Sequence, residues 1–262
     1  MNARSAVFDL FGDHLRERGG YAPVASIVRL LRPLDVAAPA VRTAISRMVR
    51  QGWLEPRSTP AGPGYAATDR ARKRLDAASA RIYRTTTRSW DGCWHLVSTA
   101  RPASRSARDR IRVGLRFLGY AELEPQVWIS AYPSPEVAGL LAGEHVRGEC
   151  FTARYLGQDP ALVARGWNLA ELHRAYHQWL ADATRIVVAV GAAPTEEAAF
   201  AARSRLVHEW RKFLFRDPAL PRVLLPENWA GDTAATYFDA ESSRLLPAAA
   251  RYVDSCLEAN RE

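Results

Sequence analysis

Apolar residues recur at helical spacing through the first fifty positions. Val7, Leu10, Phe11 and Leu15 form one stripe, which predicts a helix over 5–18 closed by Gly19-Gly20. Val24, Ile27, Val28 and Leu31 form a second, ending near Arg32-Pro33. Val41, Ile45, Met48 and Val49 form a third, with Gly52 at its end. Pro39 lies in its first turn, where a missing N–H costs little. The pattern then changes. Trp53 to Arg57 reads as a short strand, Ser58 to Gly64 as turn chemistry, and Tyr65-Ala66-Ala67 as a returning strand. Thr68 or Asp69 can cap a further arginine-rich helix over 69–84, read as mostly solvated. Three short helices followed by a two-stranded ribbon predict a winged helix-turn-helix, assigned with its linker helix to residues 1–88.

Residues 89–165 alternate strand and helix patterns. Cys93 to Ala100 reads as a strand, Arg105 to Leu118 as a helix built on Ile111, Leu115 and Leu118. Two short strands near 121–123 and 126–130, a helix over 134–141 and a strand over 149–156 follow. The order β-α-β-β-α-β predicts a ferredoxin-like module. Residues 166–262 read as helical. Trp167, Leu169, Leu172, Tyr176 and Leu180 mark one helix; Leu206, Val207, Trp210, Phe213 and Leu214 mark another. One or two more are expected over 233–257, interrupted at Pro247. Aromatic stripes of this spacing are first of all core, and a few members could line a ligand pocket. The fold class is α+β in three modules.

Charge changes this picture because of where it lies. Residues 1–88 hold 16 basic and 7 acidic residues, a net of +9, against 20 basic and 21 acidic in the remainder. A basic module on a neutral body points to one module that meets a polyanion. The third helix carries Arg42, Thr43, Ser46, Arg47 and Arg50 opposite its apolar face, with no acidic residue. Such a helix fits the major groove, where arginine pairs with guanine edges or clamps phosphate. Arg57 on the ribbon is the matching phosphate contact. The plain alternative is a solvated arginine face.

Several classes are disfavoured. No run of 18 apolar residues occurs, so no membrane span is expected. The first residues lack an apolar signal region, which suits a cytoplasmic protein, and Cys93, Cys150 and Cys256 read as free thiols. No phosphate-binding glycine loop, Gly-x-Ser-x-Gly or paired-cysteine set is present, so no catalytic residue and no cofactor is assigned. His173 and His177 are four apart but have no third ligand, so no metal is assigned. His208-Glu209-x-Arg211-Lys212 lacks the second histidine of a metalloprotease, since Lys212 holds its place.

Four segments carry a resemblance: VRTAISRMVRQGWL (41–54), RIYRTTTRSWDGCWHLV (81–97), LRFLGYAELEPQVWIS (115–130) and RLVHEWRKFLFRDPALPRVLLPENWAG (205–231). In this order they resemble the PaaX family, the repressors of bacterial phenylacetate catabolism, over nearly the whole chain. The last segment is the most specific. The resemblance implies a homodimer on double-stranded operator DNA, released by an aryl-acyl-CoA such as phenylacetyl-CoA. His208, Arg211 and Lys212 would then meet CoA phosphates, or His208 and Arg211 would be structural hydrogen-bond partners. The family's middle module is similar to a CRISPR-associated nuclease whose members carry an aspartate at the end of the first strand. Here that strand ends Ser98-Thr99-Ala100-Arg101. The expectation is a ligand-responsive DNA-binding regulator and not an enzyme. The alternatives are nucleic-acid processing by the middle module and a winged-helix module serving protein assembly.

Overall fold

A computed structural model describes residues 1–59, 62–84 and 89–259. Pro60 and Ala61 of the expected turn, and residues 85–88 of the second resembling segment, lie outside the described residues. Ten α-helices and two antiparallel sheets among the described residues make an α+β protein. From the N-terminus come α1 (Ala3–Asp9), β1 (Tyr21–Pro23), α2 (Val24–Leu31), α3 (Ala38–Arg50), β2 (Leu54–Thr59), β3 (Gly62–Ala67) and α4 (Asp69–Ile82). The middle gives β4 (Trp94–Thr99), α5 (Arg105–Phe117), β5 (Ala121–Glu124), β6 (Val127–Ser130), α6 (Glu136–Gly143) and β7 (Gly148–Ala153). Helices α7 (Asp159–Gly166), α8 (Leu169–Val190), α9 (Glu196–Trp210) and α10 (Ala230–Glu258) follow. Two compact units result: Met1–Thr86 with Gln178–Arg211 and Asp232–Glu262, and Thr87–His177 with Lys212–Gly231.

In the first unit, the three predicted stripes converge on one core. Asn2 starts α1 by accepting the Ser5 N–H at 2.9 Å. The helix then widens into a π turn over Leu10–Leu15 and tightens into a 3-10 turn over Arg16–Arg18. The sequence pattern predicts one regular helix there, and the widened turn is the difference. Val7, Phe11 and Leu15 meet Ile27 and Leu31 of α2, and Ile45 and Met48 of α3. Helix α4, read from the sequence as mostly solvated, lays Ala71 and Leu75 against the same core. Phe200 of α9 and Ala249, Val253 and Cys256 of α10 complete it. The Ser26 hydroxyl donates to the Cys256 carbonyl at 2.8 Å, and Arg18 forks onto Asp254 at 2.7 and 3.2 Å.

Two features depart from expectation. Helix α10 runs through Pro247 without a break. A proline inside a helix removes one backbone bond and crowds a carbonyl, at a cost of about 3 kcal/mol. Leu245 and Ala249, both fully buried, hold the axis on either side. The ribbon also gains a third strand, in the order β1-β3-β2. Tyr21-Ala22-Pro23 pairs with Ala66-Tyr65-Gly64. A Cβ on Gly64 would lie 2.3 Å from the Ala22 carbonyl oxygen, so only glycine lets the strands approach.

The second unit holds the four-stranded sheet, ordered β5-β6-β4-β7 and antiparallel throughout. This order fits the ferredoxin-like arrangement. Strand alternation divides its faces. Val97 and Trp128 stand opposite each other and pack with Ile111 and Leu115 of α5 and Leu141 of α6. Leu96 and Ile129 point the other way, with Trp94, towards Leu162 and Val163 of α7.

The shared core of the first unit makes a prediction. A fragment of residues 1–84 leaves the α9 and α10 sides of that core exposed to water and is expected to show no cooperative thermal transition. In the full chain, Phe200→Ala is expected to cost ~3–5 kcal/mol, read as a lower urea midpoint at unchanged slope.

Candidate nucleic-acid interface

Helix α3 is positioned from both ends. Gly52, in the left-handed region at φ 70°, follows its C-cap, and the Trp53 N–H returns to the Met48 carbonyl at 2.9 Å. The Thr68 hydroxyl donates to the Gly52 carbonyl at 2.8 Å while its oxygen accepts the Ala71 N–H at 3.2 Å. One side chain thus joins the end of α3 to the start of α4. Val41, Ile45 and Met48 are buried, and Arg42, Thr43, Ser46, Arg47 and Arg50 are exposed. The Thr43 hydroxyl donates to the Pro39 carbonyl at 2.9 Å, leaving its oxygen free to accept. Arg57 is exposed on β2. Among the described residues no carboxylate pairs with Arg42, Arg47, Arg50 or Arg57.

A groove of about 810 Å³ opens between α2 and the start of α3, and Arg29, Arg32 and Arg42 line it. Arg29 and Arg32 escaped the sequence reading because Arg29 sits on α2 and Arg32 at its C-cap, before the expected recognition helix. Both are tied to C-terminal helices: Arg29 reaches the Cys256 carbonyl at 3.5 Å and Arg32 the Glu197 carboxylate at 3.8 Å. Arg70 of α4 stacks over Trp53 at 4.6 Å.

Behind this surface lies a buried charge cluster that sequence reasoning missed. The widened turn points Asp13 into the core, where Arg203 of α9 meets it through Nη2 at 2.7 Å and Nε at 3.1 Å. Both side chains are 5% exposed. Tyr83 donates to the same carboxylate and lies 2.9 Å from Arg203 Nη2, and Arg203 also reaches the Ser242 carbonyl. Burial opposes ionisation of Asp13, but His14, Arg203 and the Tyr83 hydroxyl together hold its carboxyl below the usual range. His14 lies within 3.3 Å of the Ser204 hydroxyl, and burial pushes its pKa down to about 4.

His208 and Arg211 belong to the same environment. His208 Nδ1 lies 2.6 Å from Asp9, and Arg211 forms an ion pair with the other oxygen of that carboxylate. Burial raises the Asp9 pKa in spite of both partners. This arrangement is what the second of the two roles left open by the sequence, structural hydrogen-bond partners, would require. Lys212 follows in the 3-10 turn Arg211–Phe215, in a segment of the second unit.

In the second unit β4 ends at Thr99, followed by Ala100 and Arg101. His173 and His177 bring their Nε2 atoms to 3.1 Å. His173 Nδ1 accepts the Ala230 N–H at 3.3 Å, so its proton sits on Nε2 and points at His177. No group of three or more metal-ligating side chains comes together among the described residues, and none of the helices is long and apolar enough to cross a membrane.

Three family profiles match the chain. They are described as PaaX-like protein over residues 2–71, PaaX protein central Cas2-like domain over 87–162, and PaaX-like protein C-terminal domain over 167–255. Transcriptional repressor PaaX of Escherichia coli (strain K12) is 29% identical over 270 residues, covering 97% of this chain and 83% of that protein. Among solved structures, an uncharacterized protein from Mycobacterium tuberculosis superposes with a TM-score of 0.65 at 23% identity, over 97% of this chain and 98% of that one. That likeness speaks for the fold alone.

The buried cluster makes stability depend on pH. His14 is neutral when folded and returns to its ordinary value of 6.5 when unfolded. Protons therefore favour the unfolded chain as pH falls from 6.5 towards 4, by roughly 3 kcal/mol at the lower end. Asp13 adds loss of the same sign at still lower pH. Asp9, raised by burial, works in the opposite sense as it takes up its proton. Thermal midpoints are expected to fall across that window and to flatten in His14→Asn. Arg203→Leu, which strands Asp13, is expected to cost ~3–5 kcal/mol by urea unfolding at pH 7.

Proposed function

The chain belongs to the PaaX-like family, and from that membership we propose that it is a DNA-binding transcriptional regulator and not an enzyme. The observation that carries this reading is the exposed face of α3. It offers Arg42, Thr43, Ser46, Arg47 and Arg50 with no opposing carboxylate, beside a ribbon bearing Arg57. We read α2, α3 and the ribbon as a winged helix-turn-helix, with α3 in the major groove and β2–β3 along the backbone. The name of the Escherichia coli relative, transcriptional repressor, agrees with this reading.

The finer reading is a homodimeric repressor on an inverted repeat, released by an aryl-acyl-CoA such as phenylacetyl-CoA. One winged helix covers too few base pairs for genomic specificity, so two copies on half-sites about one or two helical turns apart are required. The ligand class rests on the resemblance in the four sequence segments. We place its binding away from His208 and Arg211, which Asp9 already holds.

Genomic fragments retained by the protein supply the operator for the test. Arg42→Ala is expected to weaken operator binding by ~1–3 kcal/mol more than random DNA, as loss of a base contact does. Arg57→Ala is expected to weaken both alike, as loss of a phosphate contact does. Equal losses for Arg42→Ala on both DNAs would remove that residue from base reading. Saturating phenylacetyl-CoA is expected to lower operator affinity roughly 5–150-fold, with the same factor appearing in ligand affinity when operator is present. Calorimetry with free CoA and with phenylacetate separates the two halves of the thioester. Binding of phenylacetate alone would reject the acyl-CoA class.

A further inference from the structure

The even charge balance of the chain beyond residue 88 hides one local excess. Residues 101–116 hold six arginines and a single acidic residue, Asp109. Most of this stretch is α5, which lies in the second unit and packs with the sheet through Ile111 and Leu115. At 3.6 residues per turn, Arg105, Arg108, Arg112 and Arg116 fall within about 80° of one another, on one flank of that buried face. Arg110 lies on the other flank, where Glu144 holds it at 2.6 and 2.7 Å. Within the stripe only Arg112 is closely paired, with Glu122 at 3.0 Å, while Arg105 lies 4.0 Å from Asp109. Arg108 and Arg116 are exposed, and their guanidinium groups have no partner among the described residues. The same is true of Arg101, just before the helix.

Like charges three and four apart on a helix destabilise it, so the fold gains nothing by lining these arginines up. A polyanion laid along them would reverse the sign. From Arg105 to Arg116 the stripe runs about 16 Å, at 1.5 Å per residue. One DNA strand carries a phosphate every ~3.4 Å of helix axis, so a stripe of this length faces several of them. Guanidinium groups fork onto phosphate oxygens. We propose that this flank of α5 is a second DNA surface, which takes the phosphate backbone of duplex DNA. Phosphates carry no sequence information, so the surface adds affinity and not specificity. A lipid surface is the poorer fit, because an interfacial helix inserts its apolar face and Ile111 and Leu115 are buried in the module's core. The proposal adds to the contacts placed on α3 and β2, and it rests on the reading of the chain as a DNA-binding regulator.

The test is the salt dependence of DNA binding by the full chain, on a long duplex carrying the operator and on one of random sequence. One variant combines Arg105→Gln, Arg108→Gln and Arg116→Gln. All three side chains are exposed and only the Arg105–Asp109 pair is lost, so an unchanged far-ultraviolet spectrum is expected. Each phosphate contact contributes ~0.9 to the slope of log affinity against log salt, so the variant's slope is expected to be shallower by about 2.7 on both duplexes. Between about 50 and 200 mM salt the wild type then loses roughly 40-fold more affinity than the variant. Arg110→Gln, on the other flank, is expected to keep the wild-type slope. An unchanged slope in the triple variant, with wild-type binding intact, overturns the proposal and leaves the reading of α3 standing. A wild type that binds neither duplex overturns both. An equal fall per arginine in Arg110→Gln would show a diffuse effect of charge and also overturns it. So does wild-type binding to anionic vesicles that the triple variant loses while its DNA slope holds. A second measurement keeps most of the stripe. An iron chelate tethered at Arg108→Cys, in a Cys93→Ser and Cys150→Ser background where the remaining Cys256 is buried, is expected to cut the bound duplex. A complex that forms without cleavage overturns the proposal.

Discussion

The N-terminal core is organised around a carboxylate that water does not reach. Asp13 sits inside the protein, and an isolated charge there would cost several kcal/mol or take up a proton. It does neither, because Arg203 offers two donors at 2.7 and 3.1 Å and Tyr83 a third. Those donors come from the end of α4 and the middle of α9, far from residue 13 along the chain. The carboxylate is therefore satisfied only when three distant segments are seated together. The widened turn over Leu10–Leu15 belongs to this constraint, since it brings Asp13 and His14 to the inside while Leu10, Phe11 and Leu15 stay there too.

The basic surface inherits its position from that arrangement. Helix α1 packs on α3, and α9 packs on both α1 and the π turn that follows it. Ile45 and Met48, on the inner side of the arginine-bearing helix, lie in the same core as Phe200 and Val253. Any movement of α9 or α10 within this unit must be absorbed by side chains one layer below Arg42 and Arg47. Arg29 and Arg32 tighten the relation, because their guanidinium groups line the groove beside α3 and also bond to α10 and α9.

Much of this was legible in the sequence wherever the cause was local. The stripes at Val24 to Leu31 and Val41 to Val49 became α2 and α3, because amphipathic periodicity is a property of neighbouring residues. The division of α3 into buried Val41, Ile45 and Met48 and exposed Arg42, Ser46 and Arg47 follows from the same count. The order of elements in the middle module was readable for the same reason. What failed to show was long-range. Asp9 and Asp13, four apart, carry no local mark of burial in the sequence. Their partners Arg203, His208 and Arg211 lie about 190 to 200 positions away, with no local mark of the pairing. The His208 cluster was visible as a cluster, but the Asp9 carboxylate beside it was not. Strand β1 is three residues long, too short for alternation to register. Pro247 would stop a helix that had only itself to rely on; burial of Leu245 and Ala249 overrides it.

The first unit is closed by residues from both ends of the described chain. Ala6 and Val7 lie in the same core as Val253 and Cys256, and Ser26 bonds to the carbonyl of Cys256. A ribosome makes the arginine-bearing helix early and the residues that fill the core beneath it late. While the rest of the chain is being translated, that helix lacks part of its support. The nascent module thus stays incomplete until α10 has cleared the exit tunnel. A product that stops short of α10 would carry every exposed arginine of the surface and only part of the packing that sets them in place.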